Sequence, residues 1–239
     1  MRRIPQRLSI CLLLGCSGPA GLAQAPPAKP VAERRSVQEP RLRPRPGDAE
    51  ALFRMFARTT GLEASFEEEK HLALLALPLK SKGHLFFFRR DLRSPGYLAR
   101  FVDEPEASSV LITPDELRLV NRDGTEVIDL KRSDKVRTFI TSLVHVFAGE
   151  QKALAKSYEI AFALEPEDEA RWTLTLTPRD KPLDQMLKTL RLVGTGEAVE
   201  RIEIEEPNGD RTVTRIVTAD PARTFDPAEL KRLFGIDAR

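Results

Sequence analysis

Three histidines, a run of three glutamates and two cysteines are the side chains best suited to chemistry in this 239-residue chain. His71, His84 and His145 show no metal-ligand spacing with one another. Glu67-Glu68-Glu69 supplies carboxylates for acid–base work, but strand neighbours point to opposite faces, so at most Glu67 and Glu69 share a side. No GxSxG elbow, phosphate loop or dinucleotide-binding glycine pattern is present. The expectation is therefore no catalytic residue, no metal ligand, no cofactor and no enzyme.

Both cysteines, Cys11 and Cys16, lie near the start of the chain. The remainder has no thiol to form a disulfide, ligate zinc or act as a nucleophile. A short basic segment with Arg2, Arg3 and Arg7 precedes an apolar run from Leu8 to Leu14. That pattern is a secretory signal peptide, residues 1–23. The run falls short of the ~20 residues that cross a bilayer, so an exported protein is expected. Two processing chemistries overlap here. Leu13-Leu14-Gly15 places Cys16 where a lipidated cysteine stands, with leucine at an uncommon position. Gly21-Leu22-Ala23 offers small residues for ordinary cleavage before Gln24. Cleavage after Ala23 frees the protein, and acylation of Cys16 tethers it.

The elements that could position a site begin beyond a spacer. Residues 24–47 are rich in proline and carry six basic residues against two acidic ones, which reads as an extended linker. Residues 48–239 hold 29 basic and 34 acidic residues and form one domain. An acidic domain is a poor nucleic-acid binder. Asp48 suits the N-cap of a first helix whose apolar face includes Leu52, Phe53 and Phe56, and Gly61 reads as its stop. Strand-like runs follow, among them LEASFEEEK, HLFFFRR, YLARFVDE, SSVLIT and ELRLVNR, with a hairpin at Asp123-Gly124.

A second helix, with Ser133 as N-cap and Gly149 as stop, carries Val136, Phe139, Ile140, Leu143, Val144 and Phe147 in one continuous stripe. His145 falls off that stripe and reads as solvent-facing. A short helical piece, EQKALAKS, comes next. Further strands then run to a hairpin at Pro207-Asn208-Gly209-Asp210, and a last helix is capped by Asp226 with Pro227 at its first position. The fold class is α+β: an incomplete antiparallel β-barrel of about ten to eleven strands, with helices covering a hydrophobic concave face.

Several segments in this order resemble the LolA-like outer-membrane lipoprotein carrier proteins. SFEEEK followed by Gly83-His-Leu-Phe-Phe-Phe-Arg89 is similar to the family's F-x-Q … G-x-L-x-[FV]-x-R-P opening, with Glu68 at the glutamine and Arg90 at the proline. VLITPDELRLVNRDGTEVIDL, the strand from Trp172 to Pro178 and IEIEEPNGDRTVTRI resemble its later strands. The resemblance implies a half-barrel lidded by helices. It also implies a periplasmic chaperone of outer-membrane biogenesis that takes acyl chains of lipoproteins, or other lipids, from an inner-membrane lipoprotein-release transporter to an outer-membrane acceptor.

Strand alternation and the helix stripe then nominate a lipid-binding cavity of Leu62, Ala64, Phe66, Leu85, Phe87, Phe139, Leu143, Val144 and Phe147. Arg89, at the motif arginine, is implied as the lid latch, with Arg90 as the alternative if a bulge shifts the strand. A monomer is expected. Two other readings stay open: an outer-membrane-anchored acceptor (LolB-like) lipidated at Cys16, and a small-ligand-binding or structural barrel with no carrier role.

Overall fold

Alternating strands, most of which bury one face, assemble into a single eleven-stranded antiparallel sheet. The structure, a computed structural model, describes residues 49–132 and 134–237. The signal peptide, Cys16, the linker, Asp48 and Ser133 lie outside the described residues. The elements are α1 (Ala49–Phe56), β1 (Gly61–His71), β2 (Leu79–Phe88), β3 (Tyr97–Glu104), β4 (Ser108–Ile112), β5 (Glu116–Asn121) and β6 (Gly124–Asp129). They continue with α2 (Asp134–Phe147), α3 (Gln151–Ser157), β7 (Tyr158–Glu165), β8 (Asp168–Pro178), β9 (Thr189–Thr195), β10 (Ala198–Glu205), β11 (Arg211–Asp220) and α4 (Pro227–Phe234).

Spatial order is β6-β5-β4-β3-β2-β1-β11-β10-β9-β8-β7. Each strand pairs with its chain neighbour, except that the first and last strands close the two meanders in the middle. β6 and β7 remain edges, so the barrel is incomplete. The chain between those edges is the covering segment that holds α2 and α3.

The concave face is largely apolar because most of the inward positions along the strands are apolar. Phe87, Leu98, Val110, Ile112 and Leu117 from one half, and Leu174, Leu176, Leu190, Leu192 and Ile204 from the other, share a core with Leu52 and Phe53 of α1 and with Val136, Phe139 and Ile140 of α2. On the convex face a smaller aromatic cluster gathers Phe86, Phe88, Tyr97 and Phe225 against Leu233 and Phe234 of α4. Asp226 and Glu229 form a reciprocal capping box at the start of α4.

Two turns differ in detail from the sequence expectation. Asn121 pairs directly with Gly124, so the two-residue turn is Arg122-Asp123 and Gly124, at φ 135°, opens the next strand. Gly61 begins β1 rather than ending α1, and a side chain there would collide with the Arg223 carbonyl at 2.0 Å.

Candidate functional site

The concave face encloses an apolar cavity of about 110 Å³. α2 roofs it with Phe139, Ile140, Leu143, Val146 and Phe147, above a floor that includes Phe66, Leu85, Leu98, Leu192, Ile202 and Ile216. Five of the nominated cavity residues line it: Phe66, Leu85, Phe139, Leu143 and Phe147. Leu62, Phe87 and Val144 pack into the surrounding core, with Phe87 stacked on Phe147 at 6.1 Å between ring centroids. Ala64 is buried on the same strand face without lining the space. An apolar cavity of about 150 Å³ takes up one benzene, so this space is too small for a long acyl chain while α2 lies on the sheet.

What keeps α2 there is legible in its end contacts. Arg89 is 2% exposed. Its Nη2 donates to the Ala57 carbonyl at 2.6 Å, its Nε to Thr59 at 2.8 Å and its Nη1 to Ala148 at 3.4 Å. Ala57 and Thr59 follow the end of α1, and Ala148 follows the end of α2. One guanidinium therefore ties the β2 end to the C-terminal ends of two helices, where carbonyls and the helix dipole favour a cation. Burial pushes its pKa down, opposed by Glu150 and Asp91, and a guanidinium nonetheless stays charged. Arg90 is exposed.

Three polar side chains, Glu68, Arg100 and Thr214, also line the cavity. Glu68 Oε1 accepts from Arg100 Nη2 at 2.9 Å, and Glu68 Oε2 accepts from Thr214 Oγ1 at 2.7 Å. The Arg100 guanidinium lies over the Phe66 ring at 4.5 Å. Farther along β1, Lys70 faces Glu206 at 3.5 Å, and both are buried. These inward charges escaped the sequence reading, although alternation from Phe66 through Glu68 to Lys70 was the available signal.

A larger depression of about 330 Å³ on the opposite face is lined by Glu67, Glu69, Lys80, Lys82, Glu104 and Arg215 among others. Its lysines pair with acids, Lys80 with Glu69 and Lys82 with Glu104, which suits water rather than hydrocarbon. His145 is half-buried rather than solvent-facing, with Nε2 3.4 Å from Glu150 Oε2, and burial pushes its pKa down. Among the described residues no cluster of side chains has the makings of a metal site, and no helix is long and apolar enough to cross a membrane.

An open antiparallel barrel with an apolar cavity under a helix defines a lipid-binding, carrier-type class of protein. Residues 42–235 match the family described as outer membrane lipoprotein carrier protein LolA-like, and the chain belongs to that family. No curated protein matches the sequence. Among solved structures, MucB is similar at 12% identity and TM-score 0.45, over 77% of this chain and 62% of MucB. The chain thus spans less than two thirds of the length of MucB. A putative outer membrane lipoprotein-sorting protein domain from Vibrio parahaemolyticus is similar at 12% identity and TM-score 0.44, over 77% of this chain and 95% of that one. The LolA superfamily protein NE2245 from Nitrosomonas europaea gives 9% identity and TM-score 0.39, over 74% and 94%. Likenesses this distant carry no argument about function.

Proposed function

We propose that this protein is a periplasmic carrier, not an enzyme, which holds the acyl chains of lipoproteins or related lipids between α2 and the concave sheet. The observation that carries the reading is the small apolar cavity beneath a helix whose end is fastened by Arg89. Hydrocarbon in water costs ~0.8 kcal/mol per CH₂, so a carrier must cover a chain and still release it. A roof packed on the sheet through Val136, Phe139 and Ile140, and tied at its end to one buried guanidinium, does both. Closed, α2 buries the floor. Displaced, it yields that floor to the acyl chains. On this reading the carrier loads at an inner-membrane lipoprotein-release transporter and unloads at an outer-membrane acceptor.

The second reading, an anchored acceptor, is favoured by Leu13-Leu14-Gly15-Cys16 ahead of a 24-residue spacer. Intact mass spectrometry of the native protein, after separation from membranes, distinguishes the two. The shuttle predicts a soluble species beginning at Gln24 that carries acyl mass lost on denaturation. A membrane-bound species with diacylglyceryl on Cys16 would establish the acceptor instead. Absence of retained lipid from both fractions would overturn lipid carriage.

A further inference from the structure

The inward side of the sheet changes character along its length. On β1 the buried positions run Ala64, Phe66, Glu68 and Lys70, so hydrocarbon gives way to charge within one strand. β11 changes at the same level: Ile216 pairs with Phe66, then Thr214 with Glu68 and Thr212 with Lys70. β10 brings Ile202 and Ile204, and the buried Glu206 stands just past its end. Arg100 reaches this level from β3, with its guanidinium over the Phe66 ring and its Nη2 on Glu68. Toward the other end the cavity is lined by hydrocarbon, where Leu98 and Ile112 pair across β3 and β4. The cavity therefore has an apolar end and a hydrogen-bonding end, as an amphiphile does.

We infer that Arg100 donates to the ester or amide carbonyl that joins an acyl chain to its headgroup, a specificity that presupposes acyl carriage and fixes which way the chain lies. In a mostly apolar pocket, a few placed polar groups set the orientation of the ligand. A guanidinium offers five N–H donors and no acceptor, so what it recognises is an oxygen acceptor. The charges at this end match in pairs, Glu68 with Arg100 and Lys70 with Glu206. A carbonyl brings an acceptor without a charge and so leaves both pairs balanced. Glu68, Arg100 and Thr214 all stand on strands, so they keep their places when α2 is displaced. Stability alone does not account for the Glu68–Arg100 pair, since apolar replacements of such pairs are often neutral. The chain then lies with its carbonyl at Arg100 and its methyl end toward Leu98 and Ile112.

Two lipids that differ only in that carbonyl test the contact: monopalmitoylglycerol, an ester, and hexadecylglycerol, its ether analogue. Each is titrated, below its micelle concentration, against a fluorescent fatty acid bound to the purified protein. Hydrophobicity alone favours the ether, whose methylene replaces the carbonyl. The wild type should nonetheless bind the ester about tenfold more tightly, the fold-change of one hydrogen bond to a charged group. In Glu68→Leu/Arg100→Met, with its fold checked by circular dichroism, that ratio should fall to one or below. Equal affinities in the wild type, or an ester preference that survives in the double variant, would overturn the inference and leave acyl carriage standing. Displacement by neither lipid would overturn both. Photolabelling of the wild type reads the orientation without any substitution. A monoacylglycerol with a diazirine beside its carbonyl should label β1 and β11 around Glu68 and Thr214, and one with the diazirine at the methyl end should label Leu98 and Ile112. The reverse pattern, or the same residues labelled by both, would also overturn the inference.

Discussion

Glu68 and Arg100 meet inside the apolar cavity, Oε1 to Nη2 at 2.9 Å, by reaching across β2 from β1 and β3. On β2, Ser81 pairs with Glu68 and Leu85 pairs with Arg100, while Gly83 between them contributes no side chain to obstruct the contact. Deleting one partner of a buried pair strands a charge, at about 3–5 kcal/mol, whereas replacing both with apolar residues is often neutral. Glu68→Leu should therefore lose that much in urea denaturation, and Glu68→Leu/Arg100→Met should regain most of it. Glu68→Gln, which keeps an acceptor, should fall between. Strict additivity of the single changes would show that the pair does not act as a unit.

Arg89 satisfies three carbonyls at two helix ends. Arg89→Leu removes all three bonds and should cost about 2–5 kcal/mol, since each buried polar group left unpaired costs about 1–3 kcal/mol where water cannot replace the donor. Amide exchange in α2 should quicken alongside. Arg90→Leu, at an exposed position, should stay within ~0.5 kcal/mol of the wild type. Equal losses in the two variants would deny Arg89 the special position assigned to it.

Two cavity-lining residues of α2, one turn apart, differ in burial and should respond differently to substitution. Phe139 is 1% exposed, so Phe139→Ala should cost about 3–5 kcal/mol. Leu143 lines the cavity and is only partly buried, so a charge placed there keeps some contact with water in the closed form. Leu143→Asp should move the melting temperature by only a few degrees, yet weaken uptake of a fluorescent fatty acid at least tenfold. Unchanged uptake would place the acyl chain elsewhere.

Burial holds the His145 pKa below its ordinary 6.5, with Glu150 opposing. The unfolded chain therefore binds more protons than the folded one as pH falls below 6.5, and stability rises with pH across that window. The contribution is present above pH 6.5 and is lost as pH falls through the folded pKa. Melting at pH 5.5 should lie below that at pH 7.5, and His145→Gln should flatten the slope.

Much of the architecture is legible in the chain because it is local. Alternation marks the strands, and Phe139, Ile140, Leu143 and Phe147 mark the helix face that roofs the cavity. Arg89 is legible only through the family motif that it matches, with Arg90 as the alternative there. The inward charges are less legible because their partners are distant: Glu68 stands 32 residues from Arg100 and 146 from Thr214, and a triple-glutamate run reads as a solvated face until the register is known. Val146 was not among the nominated residues, yet it lines the cavity, while Val144 packs in the core. Their roles depend on how α2 is rotated on the sheet. The apolar run at the β1–β2 tip has the composition of a core strand, and only tertiary structure shows its leucines in water.

The central claim is that acyl chains occupy the space between α2 and the concave sheet. A fatty acid bearing a photoreactive diazirine in mid-chain, bound to the purified protein and irradiated, tests it most directly through peptide mapping. Labelling should be confined to cavity residues such as Phe66, Leu85, Leu143, Ile202 and Ile216, and unlabelled fatty acid should suppress it. Labelling of the convex cluster around Phe88 and Phe234, or no saturable labelling at all, would contradict it.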